Sequence, residues 1–508
     1  MTESILTFQP PTGRGTDSVS NYMGFTVISC HLSRCQKCQV TSPPILPGEK
    51  WRVALELKDN PAKGTQFYIA HRSQRILEQF DWEMRAGGGL LAVGGYGEIG
   101  GNCTAYIDDK EAFVVDVGLM IRQQGNQAPG IGVLDDCQIG TILDSHGHLD
   151  HIGANHVLAE RHPEAVVRGT PTTLEYHGLL ERNRLEEDET ARPLINPTER
   201  ISDADFGEET RVTERISYIP FPVDHSIPES IGLVVKVGDR IFVHPSDFRF
   251  SASSWERRQE FRSWLDWIAR EFPNATLVLD CLGATRANGS VTEEQVWREL
   301  EDVILEAPGR VFVTTYGSQI ERNGAILAII ESWQSQGVLG FGGLRGRAMT
   351  QGAEIAEKLG FWQVPEISRG GKKVFLIAGS QAESDSAMVR SLEGFERSDT
   401  IVISAAAIPE NVEAIRILCE GLLEIGCRVV IDTNQPAEIP ATERRTIHTS
   451  GHESLPGLLE VIHRLKPMRV IPIHGGEEHT SALKNALVAK GYPEEFVMAV
   501  KSGDFVAA

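Results

Sequence analysis

The segment DSHGHLDHIG places His146, His148, Asp150 and His151 within six residues of a 508-residue chain that has 15 histidines in all. Imidazole and carboxylate together are the donors a borderline divalent cation takes. His146 and His148, two apart in an extended stretch, point to the same side and can share one ion; Asp150 and His151 follow at a turn and can address a second. Zinc is the leading candidate, and manganese or magnesium gain as oxygen ligands increase. Three further groups follow apolar runs: His225 in FPVDHSIPES, Asp247 in IFVHPSDFRF and His474 in RVIPIHGGEEH. A carboxylate such as Asp247 can bridge two ions roughly 3.5–4 Å apart, and such a pair lowers the pKa of a shared hydroxide's parent water to near neutrality. The chemistry expected is metal-assisted hydrolysis.

These residues need a scaffold that ends several strands at one edge. LLAVGG, CTAYID, AFVVDVG, TILDSH, IGLVVKVG and RIFVHPSD read as strands, and HIGANHVLAERH reads as a helix starting at His151. SSWERRQEFRSWLDWIAREF reads as a long amphipathic helix. NATLVLD, GRVFVTT, KVFLIAGS, TIVISAA and RVVIDT are buried-strand runs separated by helical segments such as AMTQGAEIAEKLG, a rhythm that argues for parallel α/β architecture. TILDSH ends on the loop leaving its sheet, where α/β folds place their sites.

The length allows two or three domains, and 41% hydrophobic residues place the chain among globular proteins. MTESILTFQPPTGRG lacks the basic-then-apolar pattern of a leader, and no apolar run of membrane-spanning length occurs, so a soluble cytoplasmic protein is expected. Eight scattered cysteines do not form a disulfide framework. A net charge of −21 argues against a nonspecific coat for nucleic acid, yet leaves room for phosphates held by metal ions and by a local groove. Arg345, Arg347, Arg369, Lys372 and Lys373 are candidates for that groove, though for each a solvated basic face is the simpler reading.

Ordered over about residues 90–505, GGYGEIGGNCTAYI, Asp116, HGHLDHIGA, GTPTTLEYHGLLE, DHSIPESIGLVV, HPSDFRF, LVLDCLGATR, GRVFVTTYGSQIER, FLIAGSQAES, HTSGHES and PIHGGEEH resemble the metallo-β-lactamase superfamily. Within it the chain is most similar to the β-CASP nucleases of the bacterial ribonuclease J type. The resemblance implies an αββα sandwich with an inserted β-CASP α/β domain. It implies a first ion on His146, His148, His225 and Asp247, and a second on Asp150, His151, Asp247 and His474. Asp150 would also serve catalysis. Asp280 stands at motif A and His452 at motif B, where they assist proton transfer to the leaving oxygen. His448 and Ser450, in a phosphate-holding loop, and Ser318 are implied substrate contacts. RNA is the implied partner, a membrane is not, and a homo-oligomer is compatible with the pattern.

The chain departs from that pattern where Cys281, Leu282 and Gly283 follow Asp280 and where Glu321-Arg322 replace a histidine-arginine pair, and the ending KSGDFVAA leads to the expectation that the usual C-terminal domain is missing. Residues 1–88 lie outside it and end at Gly87-Gly88-Gly89. Their Cys30, His31, Cys35 and Cys38 are imperfectly spaced for a structural zinc, and free thiols are expected. The domains expected are an N-terminal extension of unknown role at 1–88, a sandwich at 89–289 and 436–508, and an insert at 290–435. The resulting reading is a metal-dependent ribonuclease, exonucleolytic, endonucleolytic or both, that leaves a 5′-phosphate and a 3′-hydroxyl. The rivals are a hydrolase of a small phosphodiester or ester on the same core, and a non-catalytic RNA-binding relative.

Overall fold

The computed structural model describes residues 88–121 and 126–507, preceded by four strands, Val19–Tyr22, Phe25–Ile28, Trp51–Lys58 and Gln66–Ser73. Those four pair antiparallel in chain order and belong to a compact unit of their own, Met1–Ala86. The period-two alternation in WRVALELK accounts for the third of them, a strand that mixed polarity conceals. Cys30, His31, Cys35 and Cys38 lie outside the described residues.

The second unit begins with a sandwich. A seven-stranded sheet runs in the order 198–200, 166–169, 138–143, 111–115, 103–108, 89–94, 505–506. It faces a six-stranded sheet in the order 210–211, 216–222, 231–237, 240–244, 276–280, 469–473. Alternate residues of both sheets fill the space between them: Leu90, Ala92, Tyr106 and Phe113 from one, Leu233, Val235, Phe242 and Ile471 from the other. Helices Trp255–Glu271, Leu455–Leu465 and Glu477–Ala489 cover the outside of the six-stranded sheet through Phe261, Leu265, Val461, Ile462 and Leu483. Pro171–Glu187 lies along the far edge of the other sheet. The expected four-layer sandwich is present.

The parallel arrangement expected from the run of strands beginning at NATLVLD is complete in the inserted domain, and in the sandwich it is mixed: Thr276–Asp280 pairs parallel with both its neighbours, and strands 111–115, 138–143, 166–169 and 198–200 pair parallel in turn. In the insert six strands, 339–345, 372–377, 311–314, 400–403, 428–432 and 443–445, all pair parallel. In the sandwich the hairpins 89–108, 103–115, 216–237 and 231–244 are antiparallel, because their connections are too short for a crossover helix. The insert sheet extends past 435 to take in Glu443–Arg445. Val311 and Val313 face one of its apolar layers and Phe312 the other, as a central strand requires. Among the described residues no helix is long and apolar enough to cross a membrane, and five buried cysteines are free thiols.

The insert is joined to the sandwich by a buried ionic cluster. Glu293, in the first turn of helix Glu293–Glu306, accepts from Arg249 Nη1 of the sandwich at 2.6 Å and from Arg322 Nη2 of the insert at 2.6 Å. Burial alone would raise the Glu293 pKa, but the Arg322 and Arg249 guanidinium groups outweigh it and pull the carboxyl down to about 2. A depressed carboxylate adds stability above its ordinary value, about 4.3, and loses it as pH falls through the folded value. Glu293→Gln is therefore expected to cost about 3–5 kcal/mol near neutrality by stranding two buried cations. It is also expected to flatten the stability loss between about pH 4 and pH 2, measured by denaturant titration against wild type.

Candidate metal centre

The HGHLDH loop is stitched to the segment after strand Glu111–Val115. Val117 N donates to His151 O at 2.7 Å, Leu119 N to Leu149 O at 3.0 Å, and Asn102 N to Asp150 O at 3.0 Å. At Gly118 any Cβ would overlap the Asp150 carbonyl, so the two backbones meet only because the residue is glycine. The single helix expected from His151 is instead two short ones, Leu149–Ile152 and Asn155–Ala159. The break falls at Gly153-Ala154, where Ala154 N leaves the helix ladder to donate to Val117 O at 2.8 Å. Asp116 takes a left-handed φ of 61° and turns its carboxylate under the loop. There it accepts from Ser145 N, Ser145 Oγ and His151 Nδ1, each at 2.8 Å.

Three imidazoles converge on one point. His146 Nδ1 donates to Ser145 Oγ at 3.0 Å, and His225 Nδ1 donates to Gly451 O at 2.6 Å, so each carries its lone pair on Nε2. Both Nε2 atoms lie 3.1 Å from His148 Nδ1. One hydrogen on His148 can satisfy only one of them, so unshared lone pairs face each other at this point. Burial, reinforced by repulsion among the rings, holds the pKa values of His146 and His225 well below the ordinary value and brings His148 to about 4. Neutral imidazoles with convergent lone pairs fit a Lewis-acidic cation.

A second group, Asp150, His151, Asp247 and His474, also clusters its donor atoms. Asp247 Oδ2 lies 3.1 Å from His151 Nε2 and 3.6 Å from His474 Nε2, and 3.9 and 4.0 Å from the Nε2 atoms of His146 and His225. It thus stands between the two groups. Its Oδ1 is buried without any hydrogen-bond partner. An orphaned carboxylate oxygen beside unshared imidazole lone pairs is what a metal centre leaves when only its protein donors are counted. Burial would raise the Asp247 pKa, but His474, His151 and His452 outweigh it. His452 Nδ1 donates to Asp280 Oδ2 at 2.8 Å and lies 3.7 Å from Asp247 Oδ2, which completes a third overlapping cluster.

The remaining expected contacts separate. His448 is buried, with its Nδ1 accepting from Arg322 Nη1 at 2.7 Å, so that nitrogen is not free for a phosphate. Burial and the neighbouring Arg322 charge lower its pKa to about 3. Ser450 is half-buried two residues further on, its Oγ accepting from His452 N at 3.2 Å. Ser318 is half-buried on the loop that leaves strand Val311–Thr314. Of the basic groove candidates, Arg347 pairs with Glu186 and Glu187, Lys372 donates to the Leu305 and Ala307 carbonyls, and Lys373 donates to Ser368. Arg345 stacks on Phe375 at 4.4 Å, so these four serve the fold.

Sequence reasoning missed Asn102, Glu453 and Arg322 as parts of the site. Glu453, fully buried, accepts from Phe250 N, Ser251 N and Ser454 N at 2.8 Å each, and thereby ties the Asp247 loop to the His452 loop. A buried carboxylate beside HTSGH gives no signal of its own, because two of its three backbone partners lie 203 and 202 residues earlier in the chain.

Comparison with known proteins gives three adjoining matches. Residues 96–253 match the metallo-β-lactamase superfamily, 308–422 the β-CASP domain of ribonuclease J, and 437–498 the Zn-dependent metallo-hydrolase RNA specificity domain. The chain belongs to the metallo-β-lactamase superfamily. Among relatives in that superfamily, ribonuclease J of Thermus thermophilus is 28% identical over 444 residues, covering 82% of this chain and 73% of that one. Ribonuclease J of Corynebacterium glutamicum is 27% identical over 437 residues, covering 82% of this chain and 57% of that one. A crystal structure of a protein of unknown function from Enterococcus faecalis shares the fold, with a TM-score of 0.56 at 14% identity, over 83% of this chain and 99% of that one. The chain is thus a β-CASP metallo-hydrolase of the ribonuclease J type, with an RNA specificity domain and buried histidine and aspartate clusters suited to metal.

Gly147 sits between two of those histidines, and a Cβ there would meet Tyr176 Cβ at 2.8 Å and its ring at 2.9 Å. Gly147→Ala is expected to destabilise the metal-free chain by about 1–3 kcal/mol in denaturant titration. Tyr176→Ala is expected to recover only the part of that increment due to the ring, since the Cβ at 2.8 Å remains, and Tyr176→Gly most of it, in double-mutant cycles.

Proposed function

We propose that the protein is a metal-dependent ribonuclease that hydrolyses RNA phosphodiester bonds. The observation that carries this reading is the convergence of seven donor residues from both sheets on one buried point, in a chain with a β-CASP insert and an RNA specificity domain. His146, His148, His225 and Asp247 would hold one divalent ion, and Asp150, His151, Asp247 and His474 a second, zinc by the nitrogen-rich donor set. When bound, such a pair supplies Lewis acidity toward the phosphate and acidifies a water toward neutrality.

The chain's own groups supply the rest. Asp280 fixes the His452 ring through Nδ1, which leaves Nε2 as the atom that passes a proton to the departing 3′ oxygen. Water oxygen bonds to phosphorus, the bond from phosphorus to the 3′ oxygen breaks, and the products are a 5′-phosphate and a 3′-hydroxyl. Ser450, beside His452 and half-exposed, would contact the phosphate next to the cut. His448 supports this loop from behind by holding Arg322.

Metal analysis of the purified chain is expected to find close to two divalent ions. Asp247→Ala is expected to lose most of that metal and nearly all cleavage of labelled RNA, since both groups lose a donor. Full cleavage by a chain without bound metal would overturn the reading.

If digestion starts from the 5′ end, a terminal monophosphate suits the small hydroxyl-lined loop better than a bulkier triphosphate. RNA with a 5′-monophosphate is expected to be degraded faster than the same RNA with a 5′-triphosphate. Ser450→Ala is expected to narrow the gap by roughly tenfold, the worth of one hydrogen bond to a charged group. Equal rates with internal fragments as first products would favour endonucleolytic cutting.

A further inference from the structure

We infer that Asn102 is a positioning residue of the metal centre: its side-chain oxygen fixes the tautomer of His474, so that His474 Nε2 presents a lone pair to Asp150, His151 and Asp247. This deepens the metal reading above and rests on it.

His474 needs an external constraint more than the other ligands do. It stands at the end of strand Arg469–Ile473 with a left-handed φ of 53°, anchored through its own N–H to Gly95 O at 2.7 Å. His151 has the Asp116 carboxylate on its rear nitrogen at 2.8 Å, and His225 has a backbone carbonyl at 2.6 Å. The rear nitrogen of His474, Nδ1, faces no carboxylate oxygen within ion-pair distance. It faces the Asn102 amide, with Oδ1 at 3.1 Å and Nδ2 at 2.8 Å, and a long contact from Gly100 N–H, which donates toward it at 3.4 Å, so the Asn102 oxygen is the one acceptor among its described neighbours that can hold the hydrogen on Nδ1.

The choice between the amide atoms decides whether His474 is a ligand. If Oδ1 accepts, the ring hydrogen is on Nδ1 and Nε2 is a free donor. If an N–H donates to Nδ1 instead, the neutral ring carries its hydrogen on Nε2, which lies 3.6 Å from both Asp150 Oδ2 and Asp247 Oδ2, and His474 leaves the donor set. With Oδ1 turned to His474, the amide Nδ2 lies 3.3 Å from the Asp150 carbonyl and 2.9 Å from His151 Nε2, so the same side chain touches three members of the second donor group. Asn102 also receives that carbonyl on its own N–H at 3.0 Å. One buried side chain thus orients His474 while gripping the backbone of the ligand Asp150, across 372 residues of sequence. Alanine cannot do this, and aspartate keeps only the acceptor.

The test is zinc competition with a chromophoric chelator on the full chain, together with thermal melting of the metal-free protein. Asn102→Ala is expected to weaken one of the two ions by ten- to a hundredfold, the usual cost of losing the partner behind a ligating imidazole. The other ion should be unchanged, and the weakened ion should be the one that His474→Ala releases. Asn102→Asp is expected to stay within about threefold of wild type for that ion. Should Asn102→Ala not fold, Asn102→Ser, with a hydroxyl too short to reach, carries the same expectation. Unchanged affinity for both ions, equal weakening of both with a lowered metal-free melting temperature, or Asn102→Asp as weak as alanine would each overturn the assignment. A wild-type chain that binds no zinc would overturn the metal reading itself, and the wild-type arm shows that separately.

Discussion

One oxygen of Asp247 has five imidazole nitrogens within 4.0 Å, from His146, His151, His225, His452 and His474. So many polar rings around one buried carboxylate are unfavourable unless their hydrogens and lone pairs are each assigned a partner. Much of the surrounding structure makes those assignments. Asp116, Ser145 and Gly451 each accept from the outer nitrogen of a ring, and Asp280 accepts from His452 Nδ1, the nitrogen nearer Asp247. Left-handed backbone at Asp116, Ser246 and His474, residues that would otherwise avoid it, lies at or beside the same point. Strain of that kind persists only where neighbouring packing over-determines it, and both sheets of the sandwich supply that packing.

The same constraint explains the attachment of the insert. The loop that carries His452 also carries His448 and Thr449, and Arg322 of the insert reaches both, at Nδ1 and at the Thr449 carbonyl. Arg322 and Arg249 share Glu293, so the position of the insert helix and the position of the His452 loop are set by one ionic cluster. Where the family pattern has a histidine, Glu321 here pairs with Arg257 of the sandwich at 2.6 Å and adds a second tie between the domains. The departure noted in the sequence is therefore a change in how the domains are fastened, while the donor set is left intact.

The legible part of the sequence was the part with local signals. Strand runs such as TIVISAA and IGLVVKVG carry their own periodicity, and HGHLDH carries four donor residues, three imidazoles and a carboxylate, in six positions. Strand Leu339–Arg345 was passed over because LGFGGLR has three glycines where β-branched residues would announce a strand; its parallel neighbour supplies the stability instead. The helix after His151 was overextended because propensity does not see the Ala154 amide being drawn to Val117. His448 was read as a ligand contact from its motif, whereas its surroundings depend on an arginine 126 residues earlier. Asn102 was invisible for the same reason: an amide acquires a role only when the fold brings an imidazole to it.

Net charge gives the final step. In a chain at −21, Arg345, Arg347, Lys372 and Lys373 of the basic cluster singled out in the sequence already have protein partners. Arg249 and Arg322 are buried in their cluster, Arg345 lies on aromatic rings, and Arg347, Lys372 and Lys373 are committed to carboxylates or carbonyls. Recognition of RNA in the proposed reading would then draw on short-range groups that act on one phosphate at a time, the ions of the centre and hydroxyls such as Ser450 among them. Such contacts position a backbone without reading its sequence.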